Sequence, residues 1–290
     1  MTLDDLLAGL PPAWPDDPLP AIRDALVGSG RSIVALDDDP TGTQTVYDVP
    51  VLTDLSADSI ARALAERPPL LFLLTNSRSL TADRSRDLHE FLGEILAGCD
   101  VKTVISRSDS TLRGHYPVET DALQKGLGCP DALTLLVPFF EAGGRLTVND
   151  THYVVEKGVA VPASETPFAR DAVFGYRTAH LPSYVEEKTN GRVKAEEVCP
   201  LALEVVRSGP EAVAAFLGQC PPGSVCTTNA VVQRDVEVIA AGVRRAEEAG
   251  ATILARTGAS YVQARAGLPN RPPLEAADLP TGAEAGGLLE

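Results

Sequence analysis

The first strongly apolar run of the sequence ends in three consecutive carboxylates. The segment SIVALDDDPTGTQ occupies residues 32–44. Asp37, Asp38 and Asp39 stand where its buried-strand pattern stops. A carboxylate at such a position can remove a proton from a substrate hydroxyl or bind Mg²⁺, but it can equally cap the next helix. The segment alone therefore leaves a reactive site and a capped turn both open.

Polar and charged side chains also follow three later apolar runs. They lie at Thr75–Arg78, Arg107–His115 and Glu141–His152. Arginine pairs bidentately with a carboxylate or phosphate, while Ser, Thr and Asn form hydrogen bonds with sugar hydroxyls. In parallel α/β sheets, ligands bind outside the carboxyl ends of the strands. The four strand ends together therefore predict a site for a small polyhydroxylated anion.

Strand-like runs alternate with helix-like segments along most of the chain, which predicts an α/β fold. We expect three layers, with a mostly parallel sheet between helices on both faces, because several runs are almost continuous Val, Leu and Ile. The strands are predicted at residues 32–36, 49–53, 70–75, 101–106, 132–137, 224–228 and 251–255, and the main helices at 57–66, 81–97, 117–127, 210–217 and 234–249. Residues 149–200 are polar and helix-poor, which predicts an inserted sub-domain beside the sheet.

The composition excludes several classes of protein. A net charge of −15 argues against a nucleic-acid surface or an anionic membrane face. No run approaches the ~18 apolar residues of a membrane helix, and the first residues lack a signal-peptide pattern, so we expect a cytoplasmic protein.

The cysteines and histidines predict no metal site. The five cysteines form no CxxC pair, and His115 and His152 lack ligand spacing, so the histidines are expected to be hydrogen-bonded structural residues. His89 and His180 are expected at the surface. The sequence contains neither a P-loop nor a dinucleotide-binding glycine loop.

Read together, the strand ends resemble the four-carbon acid sugar kinase family, the former DUF1537 group, in its N-terminal sugar-binding domain. Residues 38–42 match the family's ADD-x-TG turn, and 107–115 match its K-x-DSTLRGN motif, with Arg in place of Lys and His in place of Asn. Residues 138–154 resemble P-x-FP-x-x-GR-x-T-x-N-x-x-HYV, 165–171 resemble ET-x-FARDP, and 75–78 resemble T-x-SR. The similarity covers most of residues 31–270.

The resemblance implies an ATP-dependent kinase that phosphorylates the terminal hydroxyl of a tetronate such as threonate or erythronate. It implies a helical extension at 1–30, a sugar-acid-binding domain at 31–270, and a linker at 271–290 toward a nucleotide-binding domain that the chain lacks. ATP with Mg²⁺ is then expected to bind mainly to that domain, with Thr257 or Ser260 reaching the nucleotide. The chain alone is expected to be inactive, and a homodimer is compatible with the family.

The same resemblance supplies candidate site residues. Asp38 and Asp39 are the candidate catalytic carboxylates, either of which would orient and deprotonate the attacking hydroxyl. The candidate substrate-binding residues are Thr41, Gly42, Ser77, Arg78, Arg107, Asp109, Ser110 and Arg113. Asp37 has no assigned part, and we expect it to cap a helix or to support its neighbours.

Individual roles follow from the chemistry of these side chains. Arg78 and Arg113 would bind the carboxylate of the sugar acid, while Asp109 and Ser110 hold its hydroxyls. Arg107 would face the transferred phosphoryl group, where the family has lysine. Arginine keeps the charge there but changes the geometry.

Two other functions compete with the kinase. The segment IVALDDDPT also resembles the hhhhDxDxT motif of haloacid dehalogenase-type phosphatases, with Asp37 as nucleophile, Asp39 as acid/base and Thr75 on a later strand. A later GD-x-x-x-D motif for Mg²⁺ is absent from the sequence, and the longer kinase motifs would then have no explanation. A sugar-acid-binding module without catalysis would share every binding residue with the kinase.

Overall fold

A computed structural model describes residues 1–271. The strands, in chain order, are β1 (Ser32–Asp37), β2 (Val51–Leu52), β3 (Leu70–Leu74), β4 (Val101–Arg107), β5 (Leu133–Val137), β6 (Arg145–Val148), β7 (Thr151–Glu156), β8 (Val159–Pro162), β9 (Cys199–Leu201), β10 (Val225–Thr228) and β11 (Ile253–Thr257). Eight of them form a parallel sheet in the order β2-β3-β1-β4-β11-β5-β10-β9. β6, β7 and β8 form a separate antiparallel sheet. The predicted α/β fold with a mostly parallel sheet is confirmed.

Helices cover both faces of the parallel sheet. They are α1 (Leu3–Leu7), α2 (Leu19–Ser29), α3 (Ala57–Ala65), α4 (Ala82–Ala97), α5 (Val118–Gly126), α6 (Leu181–Lys188), α7 (Leu203–Val206), α8 (Pro210–Leu217), α9 (Gln233–Glu248) and α10 (Ala259–Arg265). Within residues 1–271, no helix has the length and apolar character needed to cross a membrane.

All six residues of β1 are buried, and they alternate between two hydrophobic cores. Ile33 and Ala35 pack into the core that includes α2 and α7 to α10, whereas Val34 and Leu36 face the core of α3, α4 and α5. This alternation is expected of a strand covered on both faces. The predicted three layers are therefore present, with β1 in the interior of the middle layer.

The N-terminal segment predicted as an extension contains α1 and α2. Leu19, Ile22 and Leu26 of α2 are buried in the main core, so this helix packs as part of the domain. Of the predicted linker at 271–290, all residues after Arg271 lie outside the described part of the chain.

The inserted sub-domain begins earlier than the sequence pattern suggests. Its first strand, β6, starts at Arg145 rather than near residue 149, and β6 joins β7 through Asn149 and Asp150 with φ angles of 49° and 61°. Two adjacent residues of positive φ are typical of the tight turns that suit the twist of a hairpin. Asn229, after β10, accepts a hydrogen bond from the Asp150 backbone N–H at 2.8 Å and thereby holds the turn against the main sheet.

Candidate functional site

The loops after four neighbouring strands meet at the carboxyl end of the parallel sheet. Asp37 at the end of β1 is in register with Leu74 on β3 and with Arg107 on β4. Arg107 is in turn in register with Thr257 at the end of β11. These strands therefore stop at the same level, and the polar residues that follow them are close in space.

Asp38 is buried and lies at the centre of this group of loops. Its carboxylate accepts hydrogen bonds from Arg78 Nη2 at 2.6 Å, Arg78 Nε at 3.3 Å and Ser108 Oγ at 2.9 Å. Burial raises the pKa of Asp38, and the hydrogen bonds and positive charge of Arg78 oppose that rise. Two-point pairing fixes the plane of the guanidinium as well as its position.

The same guanidinium also reaches Asp39. Arg78 Nη1 lies 3.1 Å from Asp39 Oδ2, while the other carboxylate oxygen accepts a hydrogen bond from the Thr41 backbone N–H at 2.8 Å. Partial burial raises the pKa of Asp39, but hydrogen bonds from Thr41 and the charge of Arg78 outweigh it, and the pKa is lowered overall. Asp39 is therefore ionised and held at the mouth of the strand.

Asp37 lies beneath this pair and is packed against a glycine. A Cβ atom on Gly42 would lie 1.5 Å from Asp37 Oδ2, so the position tolerates no side chain. Arg107 Nη1 contacts Asp37 Oδ1 at 3.1 Å. Burial raises the pKa of Asp37 to about 6, against the opposing charge of Arg107. The Asp37 side chain is only 3% exposed, whereas that of Asp39 is 26% exposed, so Asp37 is the less accessible of the two to a substrate.

A pocket of about 140 Å³ opens beside Arg78 and Arg107, the partners of these carboxylates. Its lining is mostly polar and consists of Thr41, Gln44, Arg78, Arg107, Asp109, Ser110, Phe140, Arg145 and Ala259. Five of these were predicted as substrate-binding residues: Thr41, Arg78, Arg107, Asp109 and Ser110. Three arginines in so small a space favour an anionic ligand.

Residues of the loop after β4 and of the insert lie together beside Asp109. Arg113 Nε donates to Asp109 Oδ2 at 2.8 Å, and the charge and hydrogen bonds of Arg113, with a further bond from Thr111, outweigh burial to lower the pKa of Asp109. The guanidinium of Arg113 lies over the ring of Phe168 at 5.0 Å, and that of Arg145 approaches the same ring at 5.5 Å. Phe168 thus contacts two cations, each attracted by the quadrupole of its ring.

A family model described as a sugar-binding N-terminal domain matches residues 33–265, which include every residue of this pocket. The chain belongs to that family. The resemblance inferred from the strand-end motifs is thereby confirmed, together with the sugar-binding character of the domain.

Two curated relatives of this sugar-binding domain are sugar-acid kinases. A D-threonate kinase of Bordetella bronchiseptica is 28% identical over 165 residues, covering 56% of this chain and 40% of its own length. A D-erythronate kinase of Heliobacterium modesticaldum is 27% identical over 221 residues, covering 73% of this chain and 48% of its own length. The chain therefore spans less than half of the length of either relative.

Solved structures share the fold at low sequence identity. A Bordetella bronchiseptica DUF1537 protein, crystallised with citrate as a domain-swapped dimer, superposes with a TM-score of 0.64 at 21% identity. The match covers 81% of this chain and 55% of that one. A Haemophilus influenzae protein of the DUF1537 family gives a TM-score of 0.61 at 18% identity, with coverages of 81% and 55%. Both comparisons support the α/β fold.

Beneath the pocket, the sugar-binding domain contains a buried ion pair that the sequence did not reveal. Glu119 of α5 accepts hydrogen bonds from Arg256 Nη1 at 2.8 Å and from Ser77 Oγ at 2.5 Å. Burial raises the pKa of Glu119, but the charge of Arg256 dominates and lowers it to about 2. Arg256 also donates to the Arg113 carbonyl at 3.3 Å, so the pair supports the loop after β4.

Several predicted site residues lie away from the pocket surface. Ser77 is fully buried and donates a hydrogen bond to Glu119, while Gly42 is packed against the Asp37 carboxylate. Thr257 and Ser260 are each 2% exposed, and the Thr257 hydroxyl has no hydrogen-bond partner among the described residues. Whether any of the four contacts a ligand stays a prediction.

Two histidines support the backbone around the site, as the sequence predicts. His115 Nε2 bonds to the Leu80 carbonyl at 2.9 Å, and His152 Nε2 bonds to the Ser110 carbonyl at 2.8 Å. Burial lowers the pKa of His152 to about 4, so its ring is neutral near pH 7. The surface position expected for His89 is wrong: its side chain is 2% exposed on the inner face of α4, 4.0 Å from Glu119.

Within residues 1–271, no cluster of three or more His, Cys, Asp or Glu side chains could hold a metal ion. A larger groove of about 760 Å³ lies beside the start of α5 and the end of α6, but none of the strand-end residues line it. Five of the strand-end residues predicted to form the site line the smaller pocket instead.

Proposed function

We propose that this chain binds a four-carbon sugar acid of the threonate or erythronate type for ATP-dependent phosphorylation of its terminal hydroxyl. The observation that carries the proposal is the polar, arginine-lined pocket of about 140 Å³ at the carboxyl ends of the parallel strands. The names of the two curated relatives, a D-threonate kinase and a D-erythronate kinase, support phosphoryl transfer to such an acid.

Asp39 is the better placed of the two candidate bases. Its side chain is 26% exposed, whereas that of Asp38 is 3% exposed and surrounded by Arg78 and Ser108. Phosphoryl transfer requires mainly positioning and charge stabilisation, so an ionised carboxylate that orients the hydroxyl is sufficient. Asp39 then orients the attacking hydroxyl, and Asp38 fixes the Arg78 guanidinium.

Contact of Thr257 or Ser260 with the nucleotide stays a prediction. The hydroxyls of Thr257 and Ser260 belong to buried side chains, and neither residue lines the pocket. No step of the transfer is therefore assigned to them. The proposed use of ATP with Mg²⁺ rests on the kinase relatives, which are more than twice as long as the part that matches this chain.

The pocket's charge and size suit a small acid. The Bordetella bronchiseptica neighbour of the same fold contains citrate and is a domain-swapped dimer. We extend both features to this chain as proposals: a compact hydroxylated carboxylate as ligand, and a homodimer as assembly. Sedimentation equilibrium of the chain would test the second of these directly.

A thermal-shift assay with D-threonate and D-erythronate tests the binding proposal, with acetate and inorganic phosphate as control ligands. A ligand at 100 times its Kd adds about 2.7 kcal/mol to the free energy of unfolding, which moves Tm by several degrees. Arg78→Ala should abolish the shift, because Arg78 lines the pocket and holds Asp38 and Asp39 in place. The matched control is Arg177→Ala, because Arg177 is 89% exposed and, among residues 1–271, forms a salt bridge with Glu187 alone. Absence of a shift with every four-carbon acid in the unmodified chain would refute the proposal.

A binding module without catalysis remains the second candidate, since it would use the same pocket. The two functions separate in a phosphorylation assay with the full-length protein, in which only the kinase converts the bound acid in the presence of MgATP.

A further inference from the structure

The arginines around the pocket differ in whether a carboxylate already neutralises them. Three are paired: Arg78 with Asp38 and Asp39, Arg107 with Asp37 at 3.1 Å, and Arg113 with Asp109 at 2.8 Å. Arg145 lines the same pocket but forms no salt bridge with any of residues 1–271. Its positive charge is therefore not balanced by a direct partner in the described part of the chain.

The surroundings of Arg145 make this lack of a partner costly. Its Nε is buried and has no hydrogen-bond partner among the described residues, while Nη1 donates to the Gly143 carbonyl. The ring of Phe168 lies 5.5 Å from its guanidinium carbon. Burial lowers the pKa of Arg145, and the charges of Asp109 and Glu156, which form no salt bridge with it, oppose that shift only in part. An anion bound in the pocket would place a counter-charge in direct contact with the Arg145 guanidinium.

The paired arginines are poorer candidates for this contact. A ligand carboxylate at Arg78 would compete with Asp38 and Asp39 for the same guanidinium, two of whose contacts are 2.6 and 3.1 Å long. Breaking a buried pair leaves an uncompensated charge. Arg145 can bind a carboxylate without breaking a salt bridge to any of residues 1–271.

We propose that Arg145 binds the carboxylate of the sugar acid and thereby sets the direction in which the acid lies. This inference rests on the proposed function of the pocket. Arg145 belongs to β6 of the insert, whereas Thr41, which holds Asp39, follows β1 of the parallel sheet, and both residues line the pocket. Binding of the carboxylate at Arg145 then fixes one end of the acid on the insert, and the rest of the four-carbon chain lies among the strand-end residues of the pocket.

The test compares one acid with its neutral analogue. Calorimetric titration measures the affinity of the full chain for D-threonate or D-erythronate and for the primary amide of the same acid. The variants are Arg145→Met, which keeps an unbranched stem, and Arg145→Lys, which keeps the charge without the planar fork. Arg177→Met, at an exposed position, is the matched control.

Arg145→Met should weaken binding of the acid by about 10- to 100-fold, the size of a lost charge-assisted hydrogen bond, and should leave binding of the amide almost unchanged. The affinity of Arg145→Lys for the acid should lie between those of Arg145→Met and the unmodified chain. The affinity of Arg177→Met should equal that of the unmodified chain. Equal losses for acid and amide, or no loss for either, would overturn the role of Arg145 while leaving the proposed function intact. Failure of the unmodified chain to bind any four-carbon acid would instead overturn the proposed function.

Discussion

Gly42 lies so close to Asp37 that a methyl group on its Cα would occupy the position of the carboxylate, 1.5 Å from Oδ2. The turn after β1 and the buried Asp37 are thus packed together. Asp38 and Asp39 owe their positions to this contact, because they connect the strand to the turn.

Gly42→Ala should therefore destabilise the domain and weaken sugar-acid binding. Overpacking of this kind costs about 1–3 kcal/mol, which denaturant unfolding would detect. The matched control is Gly28→Ala in α2, where no atom lies within 4 Å of the added Cβ. Alanine at this helix position should stabilise by about 0.5–1 kcal/mol. Similar behaviour of the two variants would contradict the packing argument.

Glu119→Gln should be strongly destabilising, since it leaves the guanidinium of Arg256 buried without a counter-charge. Removing one partner of a buried pair costs about 3–5 kcal/mol. Asp121→Asn is the matched control, because Asp121 pairs with Arg192 where both side chains are about half exposed, at 46% and 56%. That pair should be worth less than about 1 kcal/mol. Urea unfolding of both variants at pH 7 provides the comparison.

Asp37→Asn should change the pH dependence of stability. The pKa of this carboxyl is raised from 3.8 to about 6, so between those values the folded state binds more protons than the unfolded state. Its contribution to the free energy of unfolding therefore falls as pH rises through that window. Relative to the unmodified chain, Asp37→Asn should gain up to about 3 kcal/mol between pH 4 and pH 7. Urea titrations at the two pH values measure this, and a difference independent of pH would be inconsistent with the raised pKa.

Phe168→Leu should weaken ligand binding more than it weakens folding. Phe168 is half-buried and contacts the guanidinium groups of both Arg113 and Arg145, and each cation–π contact is worth about 0.5–2 kcal/mol. We expect a loss of about 5- to 10-fold in affinity for the sugar acid by calorimetry, as the two arginines lose their common support. Phe91→Leu in α4, where Phe91 is 46% exposed, should leave affinity unchanged. An unchanged affinity in Phe168→Leu would count against an orienting role for the ring.

The parallel sheet could be predicted from the sequence because its signal is local. The run Leu70–Leu74 is continuously apolar and Leu133–Val137 is interrupted only by Thr134, and a strand buried on both faces produces that pattern directly. The hairpin of β6 and β7 was only partly anticipated. Its first strand, Arg145–Val148, is four residues long, and its identity depends on pairing with β7 rather than on its own composition.

The pocket was predicted to the extent that its residues follow strands. Arg78 and Ser110 could be placed in this way, whereas Gln44 and Phe140 could not, because they lie in loops whose course depends on packing. The Glu119–Arg256 pair had no sequence signal, since its members are 137 residues apart and each lies within an otherwise ordinary helix or strand. His89 was misplaced because helical periodicity does not reveal which polar side chain meets a buried carboxylate.

The pocket draws its walls from two sheets of different construction. Asp39 and Arg78 follow strands of the parallel sheet, while Arg145 stands on the antiparallel insert. Under the proposed function, the insert would carry the part of the pocket that recognises the acid. His152 joins it to the loop after β4 through the Ser110 carbonyl, so an exchange of residues 140–168 between relatives with different substrates would transfer specificity only together with that contact.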